Sequence, residues 1–345
     1  MLERETPEQI IGEADCFLAV LERVSRAAPL SKPVLVVGER GTGKELIAAR
    51  LHYLSERWQR AFVKFNCAAV NEELLESELF GHVAGAYTGA TRTRVGRFEL
   101  ANNGTLFLDE LASMSQRLQE KLLRVIEYGE FEKVGSSETI KVDVRLVGAA
   151  NADLPSLARE GRFREDLLDR LSFDVVTLPP LRERHGDVLL LAQKFAEGMA
   201  RELGREYFAG FAPTAEKQLL GHAWPGNVRE LRNVVERAIY RLESARQTVE
   251  TVELDPFASP FRPAVLQSQK GVAPESAVQE VPSQGTRPSD FKTSVRQHEI
   301  ALLESALEEA RFNQKRAAAL LKLNYHQFRN ALRKHGLLRR EVNRS

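Results

Sequence analysis

The sequence has few cysteines, no long apolar run and almost no net charge. The two cysteines, Cys16 and Cys67, are too few for a disulfide framework, and their apolar neighbours predict that both are buried. No apolar run approaches the roughly 20 residues that a membrane-spanning helix needs. The first residues also lack a basic segment followed by an apolar one, which argues against export. These absences exclude a disulfide-rich secreted domain and membrane insertion, and they predict a reduced, cytoplasmic location.

Charge is unevenly distributed along the chain. The formal net charge is only +1, from 49 basic and 48 acidic residues. Residues 291–345 carry twelve basic and five acidic side chains, a net charge of +7, which leaves a net charge of −6 for residues 1–290. The 43% apolar and 28% charged residues are typical of a globular protein. The asymmetry predicts a small module that binds a polyanion, attached to a larger body that does not.

A proline-rich stretch separates these two parts. Residues 255–290 contain six of the 14 prolines, with Ser, Gln, Gly and Ala between them, which is typical of a linker. Before it, short apolar runs alternate with helical patterns, which predicts an α/β fold with a parallel sheet covered by helices. The predicted strands are residues 34–37, 62–65, 106–108, 144–147 and 175–178.

Helical patterns fill the rest of the sequence. Residues 46–54 and 118–128 fit helices between predicted strands, and residues 187–242 show helical patterns only. The expected domains are an α/β unit at 1–183, a helical subdomain at 184–254, a linker at 255–290 and a helical module at 291–345.

A glycine-rich loop follows the first predicted strand. It leads directly into a helix, which is the context that a phosphate-binding loop requires. Its glycines let backbone N–H groups and the helix N-terminus approach phosphate oxygens, and its lysine adds a positive charge at the β- and γ-phosphates. Most such loops have Ser or Thr at the position of Glu45. The predicted ATP-binding residues here are Gly38, Glu39, Arg40, Gly41, Thr42, Gly43, Lys44 and Glu45.

Two adjacent carboxylates follow the third predicted strand. Asp109 and Glu110 would lie at the carboxyl end of the strand, the edge where open α/β sheets bind ligands. Asp109 would hold Mg²⁺, and Glu110 would polarise the attacking water. Alone, such a pair is equally compatible with a solvated strand end. Together with the glycine-rich loop, it predicts an enzyme that hydrolyses ATP with Mg²⁺.

The segment Glu-Leu-Phe-Gly-His-Val-Ala-Gly-Ala-Tyr-Thr-Gly-Ala at residues 78–90 resembles the signature loop of the AAA+ bacterial enhancer-binding proteins, which activate sigma-54 RNA polymerase. The family usually has Phe at the position of Tyr87, and Glu is usual at Glu45. The resemblance extends from about residue 10 to residue 242. It implies an AAA+ P-loop parallel sheet with a helical lid subdomain, followed by a linker and a small all-α Fis-type helix-turn-helix domain. The other matching motifs are residues 38–45, 104–111, 163–171, 178–184 and 224–231.

The resemblance implies roles for further residues around the nucleotide. Asn66 corresponds to a switch residue that hydrogen-bonds Glu110, and Asn151 to the first sensor, although Ala150 replaces the usual Thr before it. Arg164 and Arg170 resemble arginine fingers that act on ATP in the neighbouring subunit, which implies a hexameric ring. Spacing alone favours a helix with solvated charges, so the finger role comes only from the resemblance. The resemblance also assigns the second sensor and the adenine-covering segment, which are Arg229, Ile11 and Gly12.

The loop at residues 85–90 has no charge, two glycines and one aromatic ring. This composition suits a mobile tip that presents the ring to a protein partner, although a flexible turn would look similar. With the family resemblance, it predicts docking on sigma-54. The predicted contact residues are Gly85, Ala86, Tyr87, Thr88, Gly89 and Ala90.

The basic end of the chain predicts a DNA-binding module. Residues 313–321 and 325–334 fit two helices joined by a tight turn, with Phe328 and Leu332 facing inward. The pattern resembles the Fis-type helix-turn-helix, except that Lys322 lies where the turn often has Gly. The basic residues could also form a solvated helical face. The predicted contacts to enhancer DNA are Lys315, Arg316, Tyr325, His326, Gln327, Arg329, Asn330, Arg333 and Lys334.

The phosphate loop begins at Gly38, which leaves too few residues before it for a receiver or ligand-sensing domain. Regulation is therefore expected from an inhibitor protein acting in trans. Trp58, in a polar run, is the candidate contact for that inhibitor, although a Trp in such a run could also be partly buried. Two other functions remain open: a DNA-binding repressor that does not contact sigma-54, and a remodelling ATPase without a role in transcription.

Overall fold

A computed structural model describes residues 10–258, 291–310, 313–335 and 337. The chain divides into two compact units, Met1–Arg262 and Pro263–Ser345. The predicted linker at 255–290 lies outside the described residues from 259 onward, so its boundaries stay predictions.

The first unit is built on a five-stranded parallel sheet with the strand order β2-β3-β6-β1-β7. All five strands expected from the apolar runs are present, within one to three residues at each end. A short antiparallel hairpin, β4–β5, was not predicted, because its three-residue strands contain charged residues and no apolar run. The strands are Val34–Val37 (β1), Phe62–Asn66 (β2), Thr105–Asp109 (β3), Glu130–Glu132 (β4), Thr139–Lys141 (β5), Arg145–Ala150 (β6) and Asp174–Thr177 (β7).

Helices cover both faces of the sheet and continue beyond it. The helices expected at 46–54 and 118–128 are confirmed as α2 and α5, and the all-helical region after residue 187 forms the lid subdomain α8–α10. The helices are Asp15–Ala27 (α1), Lys44–Tyr53 (α2), Glu72–Phe80 (α3), Arg97–Leu100 (α4), Gln116–Tyr128 (α5), Leu154–Arg159 (α6), Glu165–Leu171 (α7), Asp187–Glu202 (α8), Pro213–Gly221 (α9) and Asn227–Tyr240 (α10).

The register of the sheet gathers the predicted nucleotide residues at one edge. Val37, the last residue of β1, is paired with Ala150 at the end of β6. Asn66, the last residue of β2, is paired with Asp109 at the end of β3. Because these strands are parallel, the segments that follow them leave the sheet at the same carboxyl edge, where ligands of such sheets bind.

Three apolar clusters stabilise this unit. One lies between the sheet and α3, α5, α6 and α7, and a second lies between the sheet and α1 and α2. The third is the core of the lid and surrounds the fully buried Trp224.

A buried arginine lies at the opposite, amino edge of the sheet. Arg145, the first residue of β6, donates from Nη1 to the carbonyl oxygen of Ala28 (2.6 Å) and to that of Leu51 (3.2 Å). Its Nη2 donates to the carbonyl oxygen of Ala27 at 3.0 Å. These carbonyls lie at the C-terminal ends of α1 and α2, where a cation is favourable. Burial, followed by the charge of Arg57, lowers the pKa of Arg145 to about 10.

The prediction for the cysteines is half wrong. Cys67 is buried, and burial raises the pKa of its thiol to about 12. Cys16 is exposed, because it is rotated by roughly 100° around the helix axis from Phe17 and lies outside the buried stripe of α1 that Phe17, Val24 and Ala27 form. In the described part of the chain, no helix is long and apolar enough to cross a membrane.

Within its described residues, the second unit contains the helices Phe291–Glu309 (α11), Gln314–Leu320 (α12) and Tyr325–Lys334 (α13). The predicted helix-turn-helix is confirmed, with Phe328 and Leu332 buried against an apolar cluster that includes Leu303. The side chain of Asn313 caps α12, and that of Asn324 caps α13.

Candidate nucleotide site and interaction surfaces

The glycine-rich loop has the backbone shape of a phosphate cradle. Gly41 and Gly43 have φ angles of 77° and 95°, in the left-handed region that favours glycine. The Thr42 hydroxyl donates to the carbonyl oxygen of Glu39 at 2.9 Å, which closes the turn. Helix α2 begins at Lys44, so its free N–H groups and its positive dipole end lie at the loop.

The Lys44 ammonium is held inside this loop. Lys44 is buried, and its Nζ donates to the carbonyl oxygens of Gly38 (2.9 Å) and Glu39 (3.0 Å). Burial lowers the pKa of Lys44, and the nearby Asp109 opposes that shift. A buried cation with neutral carbonyl partners is well placed to bind an anion, so these residues fit a triphosphate.

The two carboxylates of β3 have different environments. The backbone N–H of Glu110 donates to Asp109 Oδ1 at 2.9 Å, which orients the aspartate. Glu110 has φ 54° and ψ 46°, a left-handed conformation that is uncommon for a non-glycine residue. Such strain often occurs at functional sites. One carboxylate oxygen of Glu110 lies 3.9 Å from Nη2 of Arg40 in the phosphate loop.

The sensor residues lie at the same sheet edge. Asn151 directly follows β6, whose last carbonyl, that of Ala150, accepts from the Gly38 N–H at 3.2 Å. The predicted hydrogen bond between Asn66 and Glu110 is absent among the described contacts. Asn66 Oδ1 instead accepts from the Ala68 N–H at 2.8 Å, because the chain turns immediately after β2. The switch role of Asn66 stays a prediction.

Asn227 connects the lid to the phosphate loop, a contact that sequence reasoning missed. Its Nδ2 donates to Glu39 Oε2 and to the carbonyl oxygen of Arg40, both at 3.0 Å. Its Oδ1 accepts from the Leu181 N–H at 2.8 Å. Hydrogen bonds from Arg182 and then from Asn227 lower the pKa of Glu39 to about 2. The sequence signal that could have indicated a role for Asn227 was its position inside the motif at residues 224–231.

Arg229 lies in the first turn of the same helix, two residues after Asn227. Its backbone N–H donates to the carbonyl oxygen of Gly41 at 3.3 Å. A Cβ at Gly41 would collide with the carbonyl oxygen of Gly226, so the helix can approach the loop only where glycine is present. Arg40 and Arg229 line one cavity of about 300 Å³. The structure therefore brings the predicted second sensor to the phosphate loop.

The predicted adenine-covering segment lies against the lid. Ile11 packs on the lid cluster, and its carbonyl oxygen accepts from Nη2 of Arg184 at 3.1 Å. Gly12 lies where a side chain would not fit, because an added Cβ would be 2.5 Å from Arg184 Nη2. The contact of Ile11 and Gly12 with a base stays a prediction.

The two predicted arginine fingers are ion-paired within their own chain. Arg164 precedes α7 and donates to Asp166 at 2.7 and 3.0 Å. Arg170 donates to Glu127 at 2.8 Å. The Arg164 and Arg170 side chains are 35% and 61% exposed, respectively, so neighbouring molecules can reach both guanidinium groups. Their action in trans stays a prediction.

The loop at residues 85–90 is tightly turned. The Gly85 N–H donates to the carbonyl oxygen of Ala90 at 2.7 Å, and Gly85 and Gly89 both have positive φ angles. Thr88 is exposed at the tip. The Tyr87 ring is 42% exposed but packs edge-on against the ring of His82, with 5.2 Å between ring centroids. The single aromatic ring therefore lies against the base of the loop in this conformation.

A second loop supports this tip, and it was also missed. The turn between β4 and β5 contains Gly135, and a Cβ there would be 2.6 Å from the Cβ of Ala86. The N–H of Val83 donates to the carbonyl oxygen of Val134 at 3.1 Å. The two loops are thus in backbone contact, which only the tertiary fold reveals.

Most of the predicted DNA contacts lie on the solvent side of α12 and α13. Lys315, Arg316, His326, Arg329, Asn330 and Arg333 are exposed, and Tyr325 is half-buried. Gln327 is exposed but caps its own helix, since its Oε1 accepts from the Asn324 N–H at 3.1 Å. Lys334 donates to Glu299 at 3.0 Å. The assignment of these nine residues to DNA stays a prediction.

Trp58 lies on the surface of the first unit. It is 53% exposed, and Tyr53 and Leu54 at the end of α2 are 39% and 46% exposed. These three large apolar side chains lie within six residues of sequence and are all in contact with solvent, which is compatible with a protein-binding site.

Comparisons with known proteins agree with this geometry. Residues 10–177 match the model of the sigma-54 interaction domain, residues 182–267 that of an AAA+ ATPase lid domain, and residues 294–335 that of the bacterial regulatory proteins of the Fis family. The Psp operon transcriptional activator of Escherichia coli K12 is 56% identical over 333 residues, which cover 96% of this chain and 99% of that protein. The Nif-specific regulatory protein of Azotobacter vinelandii is 43% identical over 90% of this chain and 56% of its own length.

Solved structures give the same result. The structure of NtrX from Brucella abortus in complex with ATP aligns with a TM-score of 0.66 and 29% identity, covering 95% of this chain and 70% of that chain. The ADP complex of the same protein aligns equally well. The chain therefore belongs to the sigma-54-dependent AAA+ enhancer-binding proteins, a family of ATPases that activate transcription and carry a Fis-type helix-turn-helix.

Proposed function

We propose that this protein activates the phage shock (psp) operon by hydrolysing ATP to remodel the closed promoter complex of sigma-54 RNA polymerase, and that a phage shock protein A-like inhibitor restrains it in trans. The observation that carries the proposal is the 56% identity with the Psp operon activator over 99% of that protein's length. An activator of a different operon is the main alternative.

The arrangement at the sheet edge supports ATP hydrolysis. Lys44 and the loop N–H groups bind the β- and γ-phosphates, while Arg229 approaches them from the lid. Asp109 would hold Mg²⁺, which neutralises phosphate charge when bound. Glu110, which directly follows β3 at the carboxyl edge of the sheet, orients and polarises the attacking water. Arg164 and Arg170 of a neighbouring subunit stabilise the transition state, so the active assembly is a hexameric ring.

Loop movement links hydrolysis to sigma-54. Asn66 lies beside Asp109 in the sheet, where a rearrangement of its side chain reports the state of the γ-phosphate. Helix α3 follows β2 and leads directly into the segment before residues 85–90. The exposed Thr88 and Tyr87 form the tip that binds sigma-54.

The basic module binds enhancer DNA. Helix α13 carries His326, Arg329 and Asn330 on its exposed face, side chains that can reach base edges in the major groove. Lys315, Arg316 and Arg333 are positioned for phosphates, which predicts strongly salt-dependent binding.

In vitro transcription from a sigma-54 promoter with psp enhancer sites tests the whole proposal. We expect ATP-dependent open-complex formation with the purified protein and its loss when phage shock protein A is added. Activation that phage shock protein A does not reduce would overturn the inhibitor part of the proposal, and activation of a sigma-54 promoter that fails only with psp enhancer sites would favour the activator of another operon. Binding to the enhancer without activation would favour a repressor.

A further inference from the structure

Two consecutive residues before α1 pack against different apolar clusters of the first unit. Ile10 packs against the apolar cluster formed by the sheet with α1 and α2. Ile11 packs against the apolar cluster of the lid. The backbone from residue 11 to the start of α1 at Asp15 is therefore held by contacts with the lid as well as with the sheet.

A buried ion pair makes most of those contacts. The side chains of Arg184 and Asp187 are 3% and 0% exposed, and Arg184 Nε donates to Asp187 Oδ2 at 2.7 Å. Asp187 Oδ1 accepts from the backbone N–H groups of Glu13 (2.7 Å) and Ala14 (3.0 Å), 174 and 173 residues away. Asp187 is also the first residue of α8. The positive ends of α1 and α8 thus meet at one carboxylate, which stabilises its charge.

The guanidinium of Arg184 holds the other side of the segment. Its Nη2 donates to the Ile11 carbonyl oxygen at 3.1 Å. Its Cζ lies 3.7 Å from the centroid of the Phe17 ring, a cation–π contact. An added Cβ at Gly12 would be 2.5 Å from both Arg184 Nη2 and the nearest Phe17 ring atom. The backbone of Gly12 is therefore enclosed between these two side chains.

We propose that Arg184 and Asp187 are positioning residues for the base of the nucleotide: they fix the backbone of residues 11–14 to the lid, so that this segment forms one wall of the base site. The inference rests on the proposed role of Ile11 and Gly12 in covering adenine. A buried ion pair is a poor source of stability compared with apolar packing. Apart from the bond between them, the Arg184 and Asp187 side chains form their hydrogen bonds with backbone groups of residues 11–14. This pattern indicates that the ion pair holds that segment in position.

The consequence is a division of labour in nucleotide binding. The phosphates are held by the loop at the sheet edge, whereas the base is held by a segment fixed to the lid. Loss of the ion pair should weaken recognition of the base and leave the phosphates bound as before. A purely structural role would weaken both together.

Affinities for ATP and for inorganic tripolyphosphate, measured by calorimetry on the full chain, separate these possibilities. For Asp187→Asn and Arg184→Lys we expect the Kd for ATP to rise at least about tenfold, the effect of losing a charge-assisted hydrogen bond, while the Kd for tripolyphosphate stays within about twofold. Arg23→Gln is the matched control, because it removes the surface pair of Arg23 with Asp174 and should change neither affinity.

Equal weakening of both ligands in the two variants, or no change for either, would overturn the proposal. The affinities of the unaltered chain test separately whether Ile11 and Gly12 cover the base. If the unaltered chain binds tripolyphosphate as tightly as ATP, the base contributes nothing, and the role of Ile11 and Gly12 fails with the inference. If the unaltered chain prefers ATP and the variants keep that preference, only the role of Arg184 and Asp187 is wrong.

Discussion

Asn227 Nδ2 lies 3.0 Å from Glu39 Oε2, so the first residue of the lid helix α10 is hydrogen-bonded to the phosphate loop. Asn227 is fully buried and adopts a φ angle of 53°. The same helix presents Arg229 two residues later. The position of the predicted second sensor therefore depends on an uncharged amide that is hydrogen-bonded to the phosphate loop.

Replacement of Asn227 should affect stability and catalysis together. Asn227→Ala leaves the Leu181 N–H and the Arg40 carbonyl without the Asn227 amide, which should lower the free energy of unfolding by about 2 kcal/mol. Because the position of Arg229 depends on the same amide, we also expect a higher KM for ATP. Asn227→Gly loses the same hydrogen bonds but relieves the left-handed backbone, so it should be more stable than the alanine variant by ~1 kcal/mol. Thermal unfolding and ATPase assays measure both effects. The exposed Asn233 on the same helix is the control, and equal losses in Asn233→Ala would contradict this account.

The contact between Glu39 and the lid should be sensitive to acid. The pKa of Glu39 is lowered to about 2 from the ordinary 4.5 by Arg182 and then Asn227. A lowered pKa in the folded state means that the contribution to stability is present above pH 4.5 and is lost as the pH falls towards 2. Because the side chain is half-exposed, solvent screening keeps this contribution small. The difference in stability between the unaltered chain and Glu39→Gln should shrink across that range, and a difference independent of pH would argue against it.

Thr88→Ala should separate the two activities of the ATPase unit. Thr88 is exposed at the tip of the loop between α3 and α4, whereas Lys44 begins α2 and Asp109 ends β3. We expect activation of transcription to be lost while ATP hydrolysis persists, as measured on the same preparation. Tyr87→Phe, which removes only a hydroxyl, is the control and should retain both. Loss of hydrolysis in Thr88→Ala would contradict the assignment of the loop to sigma-54.

Trp58→Ala should relieve inhibition in trans. Trp58 is 53% exposed and provides a large apolar anchor for a partner. We expect the variant to hydrolyse ATP at the ordinary basal rate and to resist phage shock protein A in a titration. Tyr240, which is 67% exposed on the lid, is the matched aromatic control, and Tyr240→Ala should remain inhibited. If both variants are inhibited at the same inhibitor concentration, Trp58 is not part of the inhibitor contact.

Lys322 makes the turn of the helix-turn-helix less stable than it could be. Its φ angle is 53°, which a residue with a Cβ adopts at a cost. Lys322→Gly and Lys322→Ala remove the same charge, but the glycine variant should be more stable by about 1 kcal/mol. Amide hydrogen exchange in α12 and α13 of the full chain measures the difference. Identical exchange in the two variants would show that the turn carries no strain.

The sequence predicted what depends on local pattern. The parallel strands followed from continuous apolar runs, and the phosphate loop from its glycines, lysine and flanking elements. The Tyr87–His82 contact, the approach of Gly135 to Ala86 and the capping role of Gln327 depend on which residues the tertiary fold brings together. The exposure of Cys16 shows a related limit, because apolar neighbours in sequence say nothing about the side of a helix on which a residue lies.

Arg145 joins the ends of two helices at the amino edge of the sheet. Its guanidinium binds the last carbonyls of α1 and of α2, the two helices that flank β1 in sequence, at the edge of the sheet remote from the nucleotide. A lysine could not replace it, since a single ammonium lacks the planar fork that spans both helix ends. The C-terminal ends of α1 and α2 are therefore tied to β6 through one guanidinium group, at the edge of the sheet opposite the glycine-rich loop and Asp109.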